Sequence, residues 1–212
     1  MNMETLATIS DIQIGYTARG RLEPMPGGVR ALQLRDTTPE GGRSGEPVER
    51  FRLDGISDRY WARAGDVVFR SRGDRNTASA LGHEFDEPAV AVMPLVILRA
   101  KRSVLPEYLA WFLNQPEAQH HFDKGAQGQN IRMISMSCLS KLQVPIPDIA
   151  TQRTIAAIDA LAQREFILST QLAEKRRQLL SATLLRSAHE SIQDQYRTNA
   201  GAPTHPVDGG TA

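Results

Sequence analysis

The sequence contains a single cysteine, Cys138, so no disulfide can form within this chain. It has no apolar run close to the roughly 18 residues that a membrane-spanning helix needs. Its first ten residues include Glu4 and no basic segment, unlike a secretory signal. With 41% hydrophobic and 23% charged residues, the composition is that of a globular protein. These features predict a cytoplasmic protein with no membrane partner.

The motifs of common enzymes are also missing. There is no G-x-x-x-x-G-K-[ST] phosphate loop and no G-x-G-x-x-G dinucleotide fingerprint. The histidines form no H-x-x-x-H pair and there is no C-x-x-C, so no metal ligand set is predicted. Cys138 is interpreted as a small core residue, and His120 with His121 as a solvated pair at a helix end. We therefore predict no catalytic residue and no metal site; an unrecognised enzyme is the least favoured alternative.

Lysine is scarce, because 21 of the 25 basic residues are arginine. The net charge of +1 excludes a generally polycationic protein that coats nucleic acid. Arginine presents a planar fork that fits phosphates and the edge of guanine. A GC-rich genome also favours arginine codons, so the placement of these residues has to decide between the two explanations.

The pattern of apolar, glycine and proline residues changes at residue 148. Residues 1–148 mix short apolar runs with glycine- and proline-rich turns, which predicts an α+β domain in which strands dominate. Strands are predicted at 32–34, 66–69, 89–93 and 95–98, a helix at 106–114, and loops at 23–28 and 41–45. Residues 149–189 are predicted to form a long amphipathic helix, and 190–212, which lack periodicity, a disordered tail.

The predicted helix carries an apolar stripe that one helix cannot bury by itself. Asp148 is its predicted N-cap, and neither glycine nor proline interrupts residues 150–200. The stripe that is predicted to form a subunit interface consists of Ile155, Ile158, Leu161, Leu168, Leu172 and Leu179. Because no second long helix is predicted, its partner is expected to be another subunit. The alternative is that the helix folds back over its own domain.

Three loops concentrate the side chains that recognise nucleic acids. They are residues 15–21, 69–77 and 124–132, each rich in glycine and in residues that pair with base edges or phosphates. A solvated turn is the alternative for any one of them. The predicted DNA-binding residues are Arg19, Arg21, Arg35, Arg70, Arg72, Arg75, Asn76, Gln127, Gln129, Asn130 and Arg132.

Five segments in order resemble the specificity subunits of type I restriction–modification systems. Along the chain they are 14–19 (IGYTAR), 61–73 (WARAGDVVFRSRG), 105–114 (LPEYLAWFLN), 125–147, which ends in VPIP, and 152–156 (QRTIA). In the first of these, Ala18 stands where the family usually has proline. The resemblance covers about residues 5 to 187.

The resemblance implies a non-catalytic subunit that reads part of a bipartite site in double-stranded DNA. The expected partner is an adenine-N6 methyltransferase subunit that carries S-adenosyl-methionine, with a motor and nuclease subunit joining for cleavage. No cofactor is expected in this chain.

The chain has one recognition domain and one helix, where full-length members of the family have two of each. It is expected to self-associate through the helix and read a palindromic site, to pair with a second half-subunit, or to serve a related phage-defence system. The rival interpretation is a scaffold whose β domain binds a protein.

Overall fold

A computed structural model describes residues 2–38, 47–73, 75–127 and 132–200. It confirms an α+β fold, with strand-rich sheets followed by a long helix. The predicted loop at 41–45, the predicted site residues Gln129 and Asn130, and residues 201–212 of the predicted tail lie outside the described residues. In the part of the chain that the structure describes, no helix is long and apolar enough to cross a membrane.

The strands are β1 (Asn2–Thr5), β2 (Ser10–Ile14), β3 (Pro24–Leu32), β4 (Arg50–Phe51), β5 (Trp61–Ala62), β6 (Asp66–Arg70), β7 (Arg72–Gly73), β8 (Ala78–Ala80), β9 (Ala89–Ala91), β10 (Leu95–Ala100), β11 (Ala126–Gln127), β12 (Arg132–Ile134) and β13 (Gln143–Ile146). The helices are α1 (Leu6–Ile9), α2 (Pro106–Leu113), α3 (Pro116–Gly125), α4 (Met136–Ser140) and α5 (Ile149–Ala200), with 3-10 turns at Leu34–Asp36 and Asp58–Tyr60.

The central sheet has the order β2-β10-β6-β8 and is antiparallel throughout. Successive side chains of a strand point to opposite faces, and here both faces are covered. Val67 and Phe69 pack in the cluster that includes α2 and α3, whereas Val68 packs in a second cluster on the other face. This explains why β6 and β10 are continuous apolar runs in the sequence.

Three further sheets surround the central one within the described ranges. Their orders are β1-β13, β4-β3-β9-β5 and β11-β12-β7. The last is formed by strands that lie in two of the predicted DNA-binding loops or directly follow them, and it therefore determines how those loops meet.

The prediction of a loop at 23–28 is wrong, because β3 begins at Pro24. Both Pro24 and Val29 pair with Phe51, so the register shifts between them. Gly27 takes a positive φ of 76° inside this irregularity. Proline and glycine are tolerated in a strand at such a bulge, which is why a turn-like sequence here belongs to a strand. The predicted strand at 32–34 is also displaced, since Leu32 ends β3 and Leu34 begins a 3-10 turn.

Helix α5 continues past the predicted end at 189 to Ala200, which contradicts a disordered tail starting at 190. The absence of glycine and proline over this stretch lets the helix continue. The chain divides into two compact units, residues 1–159 and 160–212. The first turns of α5 therefore belong to the first unit, beyond the predicted boundary at 148.

Asp148 caps α5 as the sequence predicts. Its carboxylate accepts hydrogen bonds from the Thr151 backbone N–H at 2.9 Å and the Thr151 hydroxyl at 2.8 Å. These bonds favour the charged form and lower the pKa of Asp148 below its usual value.

We expect Asp148→Ala to lower the thermal midpoint of the first unit at neutral pH, while Asp148→Ser, which keeps a capping oxygen, restores most of it. Because the folded pKa is the lower one, the contribution of the carboxylate is present above the unfolded value near 3.8 and is lost as the pH falls through the folded value. The difference between wild type and Asp148→Ala should therefore shrink in acid, as thermal unfolding at several pH values would show. A constant difference would contradict the charged cap.

Candidate nucleic-acid interface

The loop at 15–21 is attached to the turn that joins β9 to β10. The Tyr16 backbone N–H donates to Ala91 at 2.7 Å, and the Met93 N–H donates to the Tyr16 carbonyl at 3.0 Å. Gly15 permits this approach, because a Cβ there would lie 2.6 Å from the Leu95 carbonyl oxygen. The first predicted loop therefore starts beside Met93 and Pro94.

The loop at 69–77 meets the same turn from the other side. Ser71 donates to the Pro94 carbonyl twice, from its backbone N–H at 3.1 Å and its hydroxyl at 2.7 Å. The Ser71 carbonyl in turn accepts from the Ile134 N–H at 2.8 Å, which brings in the loop at 124–132. The first two predicted loops thus meet at Met93 and Pro94, and the segment that follows the third loop is bonded to the second, although all three are far apart in sequence.

The sheet β11-β12-β7 sets the register between the second and third loops. Met133 pairs with Arg72 on one side and with Gln127 on the other, while Arg132 pairs with Gly73. Arg72 and Gln127 therefore flank Met133 from the two outer strands, and Arg132 is next to Met133 on the central strand. For Gln127 and Arg132 the structure describes only the position of the backbone.

Arg72 and Arg75 are exposed, and neither forms an ion pair with another described residue. Arg19 and Arg21 are also exposed and line a cleft of about 220 Å³ beside Tyr16. The same cleft is lined by Arg52, which the sequence analysis missed. Arg52 lies between two apolar residues and outside any predicted loop. Only the folded structure shows that it lines this cleft.

Arg35 and Arg70 line a neighbouring cleft of about 600 Å³, together with Thr37, Met93 and Pro94. Arg35 is exposed and pairs with Glu49. The Arg70 guanidinium donates from Nη1 to the Thr37 carbonyl at 2.7 Å and hydroxyl at 3.2 Å. Arg70 therefore holds the segment after the 3-10 turn in place, which gives it a structural role at the edge of this surface.

Asn76 is fully buried, and this contradicts the prediction that it contacts DNA. Its side-chain Nδ2 donates to the Arg70 carbonyl at 2.9 Å, and its backbone carbonyl accepts from the Gln119 Nε2 at 2.7 Å. Asparagine can read adenine or stabilise a turn, and here the turn is tight enough to enclose it.

Several arginines elsewhere in the first unit pair with carboxylates. The ion pairs are Arg30–Asp86 at 3.5 Å, Arg50–Glu87 at 2.5 Å, Arg63–Asp58 at 2.6 Å and Arg99–Asp66 at 3.7 Å. Within the described residues, the exposed arginines of the converging loops at 19, 21, 72 and 75 make none. This contrast leaves those guanidinium groups available for phosphates or base edges.

The predicted subunit-interface residues fall into two groups. Ile155 is half-buried and packs against the core of the first unit, so its assignment to a subunit interface is wrong. Ile158, Leu161, Leu168, Leu172 and Leu179 are all exposed. A second exposed set, missed in the sequence analysis, consists of Phe166, Leu180 and Leu184.

No family model and no curated protein matches the sequence. Solved structures do match. A structure from a type I restriction–modification system is 19% identical, with a TM-score of 0.55, over 92% of this chain and 45% of the other. The HsdS subunit of Thermoanaerobacter tengcongensis is 20% identical, with a TM-score of 0.54, over 77% of this chain and 37% of the other.

The S subunit of a type I restriction–modification system from M. genitalium is 15% identical, with a TM-score of 0.53, over 77% of this chain and 39% of the other. The chain thus spans less than half the length of each of these structures. At this level of identity the likeness establishes the architecture. The chain has the fold of the S subunits of type I restriction–modification systems.

Proposed function

We propose that this protein is the DNA-recognition subunit of a type I restriction–modification system or a related phage-defence complex. It reads part of a bipartite site and directs a partner adenine-N6 methyltransferase to it. The observation that carries the proposal is the meeting of two loops with exposed arginines at Met93 and Pro94, with the third predicted loop joined to the second through β12, on a specificity-subunit fold.

The chemistry of this surface suits direct reading of a duplex. Arginine pairs bidentately with guanine and neutralises phosphates, and the loops are held by backbone hydrogen bonds to a rigid sheet. Because the net charge is only +1, non-specific attraction to DNA is weak and recognition depends on these local groups.

The exposed apolar residues of α5 support the partner side of the proposal. One stripe has pairs seven residues apart, Leu161 with Leu168 and Leu172 with Leu179, as in a coiled coil. The second begins at Phe166, about 140° around the helix from Leu161. One helix with two such stripes suits two partners, a second copy of this chain and a methyltransferase subunit that carries S-adenosyl-methionine, while a motor and nuclease subunit would join that complex.

The test is to sequence the methylome of the host with and without this gene. Loss of one N6-methyladenine bipartite motif, restored by the wild-type gene, is the expected result. A palindromic motif would indicate a self-associated reader and an asymmetric one a second reader. An unchanged methylome, with an active neighbouring methyltransferase, would overturn the proposal and favour a protein-binding scaffold.

Arg72→Ala and Arg75→Ala are expected to weaken binding to that motif by about 1–3 kcal/mol wherever the arginine reads a base, and to relax specificity there. Arg102→Ala is the matched control. Arg102 is exposed just beyond Ala100, so β10 separates it from Pro94 by about 20 Å. The measurement is the affinity of the complex with its methyltransferase for the motif and for single-base variants. If both loop variants match Arg102→Ala, these arginines do not read the site.

A further inference from the structure

A second basic cleft lies beside the converging loops and outside the predicted DNA-binding residues. It has a volume of about 340 Å³ and is lined by His121, Lys124 and Gly125 from α3 and by Ser135, Cys138 and Lys141 from α4 and its ends. None of its described lining residues is acidic. Lysine is rare in this chain, with four in the whole sequence, and two of those four line this cleft.

The two walls of the cleft are fixed to each other. The His121 Nε2–H donates to the Cys138 carbonyl at 2.9 Å, and the Cys138 N–H donates to the Ser135 hydroxyl at 3.1 Å. Gly125 lies so close to Cys138 that an added Cβ would overlap its sulfur. These contacts correct the expectation that His121 is solvated, and they hold Lys124 and Lys141 on opposite sides of one opening.

The cleft is continuous with the candidate nucleic-acid interface. Gly125 is followed at once by β11, and Ser135 comes directly after β12. These two strands pair with each other, and β12 also pairs with β7, which carries Arg72. The same two chain segments therefore form both the cleft and the small sheet, so the cleft adjoins the sheet that carries Arg72.

We propose that this cleft holds a phosphodiester of duplex DNA next to the bases read by the loops; the proposal rests on the proposed function. Two ammonium groups and serine hydroxyls supply donors, and no carboxylate opposes an anion. Lysine is a point charge without the planar fork of arginine, so it suits a contact that positions the duplex without reading it. The cleft adds affinity that does not depend on sequence.

The test is the double variant Lys124→Gln with Lys141→Gln, compared with Arg102→Gln as the control. Binding of a fluorescent random-sequence duplex is measured by anisotropy over a series of salt concentrations, with circular dichroism to check folding. Two lost phosphate contacts should reduce the slope of log affinity against log salt by about 1.8 and the affinity roughly ten- to a hundredfold near 0.1 M salt. The affinity for the methylated motif should fall by the same factor.

The outcomes separate this proposal from the proposed function. If the wild type binds duplex DNA and the double variant has the same salt slope, the cleft is not a phosphate site, while the proposed function stands. If the double variant loses affinity for the motif alone, the lysines read bases and the proposal is wrong. If the wild type binds no duplex even with its methyltransferase, both fail.

Cys138 supplies a second measurement that needs no variant, because it is the only cysteine and lines the cleft. Burial raises the pKa of its thiol, so alkylation is followed at one alkaline pH. The random duplex should slow alkylation at low salt, and high salt should restore it. Bound duplex with no protection would contradict the proposal, as would protection by inorganic phosphate at matched ionic strength without protection by DNA, which would indicate a small-anion site.

Discussion

Gln152→Leu is expected to destabilise the first unit by about 3–5 kcal/mol, because it leaves three backbone groups without their hydrogen-bond partner. Gln152 is fully buried at the start of α5. Its Nε2 donates to the carbonyls of Ser103 at 3.0 Å and Pro147 at 2.9 Å, and its Oε1 accepts from the Leu105 N–H at 2.8 Å. One side chain therefore ties the helix to the turn before α2, and leucine fills a similar space without replacing any of these bonds.

Urea unfolding followed by tryptophan fluorescence measures this effect, since both tryptophans, Trp61 and Trp111, belong to the first unit. The neighbouring exposed residue supplies the control Arg153→Leu. Gln152→Glu keeps an acceptor for Leu105 but buries a carboxylate against the Ser103 and Pro147 carbonyls, so a loss at least as large is expected at neutral pH. Equal midpoints for Gln152→Leu and Arg153→Leu would show that these hydrogen bonds do not anchor the helix.

Leu168→Asp with Leu172→Asp is expected to abolish the self-association proposed for α5, with the association constant lowered roughly a thousandfold or more. Their side chains are 48% and 51% exposed in the single chain, so an assembly is needed to bury them. Burying a leucine contributes about 1.5–3 kcal/mol, and a two-fold assembly loses each contact twice. A carboxylate in the seam adds a cost of desolvation.

Analytical ultracentrifugation over a range of concentrations checks this result. The matched control is Ser169→Asp with Ser181→Asp, which adds the same charge to exposed positions of α5 about 80° and 160° around the helix from Leu161. The control should keep the association state of the wild type. If the leucine variant also keeps it, the stripe from Leu161 to Leu179 is not the self-association surface and faces another partner.

Local periodicity explains why much of the fold could be predicted. The runs at β6, β10 and α2 are compact, strongly apolar and bounded by turn residues, and the structure places each within two residues of its prediction. The segment at 23–28 could not be predicted in this way. Its prolines and glycines form part of a strand only because Phe51, far away in sequence, pairs with both sides of a bulge.

The candidate site also contains residues that could be predicted from the sequence and residues that could not. Residue types alone pointed to the arginines of the three loops, since exposure is the usual state of an arginine in a glycine-rich turn. Asn76 could not be assigned from its type, because an asparagine stabilises turns as readily as it pairs with adenine. The cleft formed by Lys141 and Cys138 could not be predicted, since nothing in their local sequence indicates that α3 packs against them.

The sequence by itself determined the periodicities that make strands and a long helix, and the residue types that suit DNA, because both are local properties of the chain. The tertiary structure alone decided which loops meet. The Met93–Pro94 turn binds two of the segments and Ser71 links the third, largely through backbone hydrogen bonds. Such bonds form between groups that nearly every residue carries, so residue type does not predict them. Burial of Asn76 and Ile155 and exposure of Arg52 likewise depend on neighbours that only the folded chain brings together.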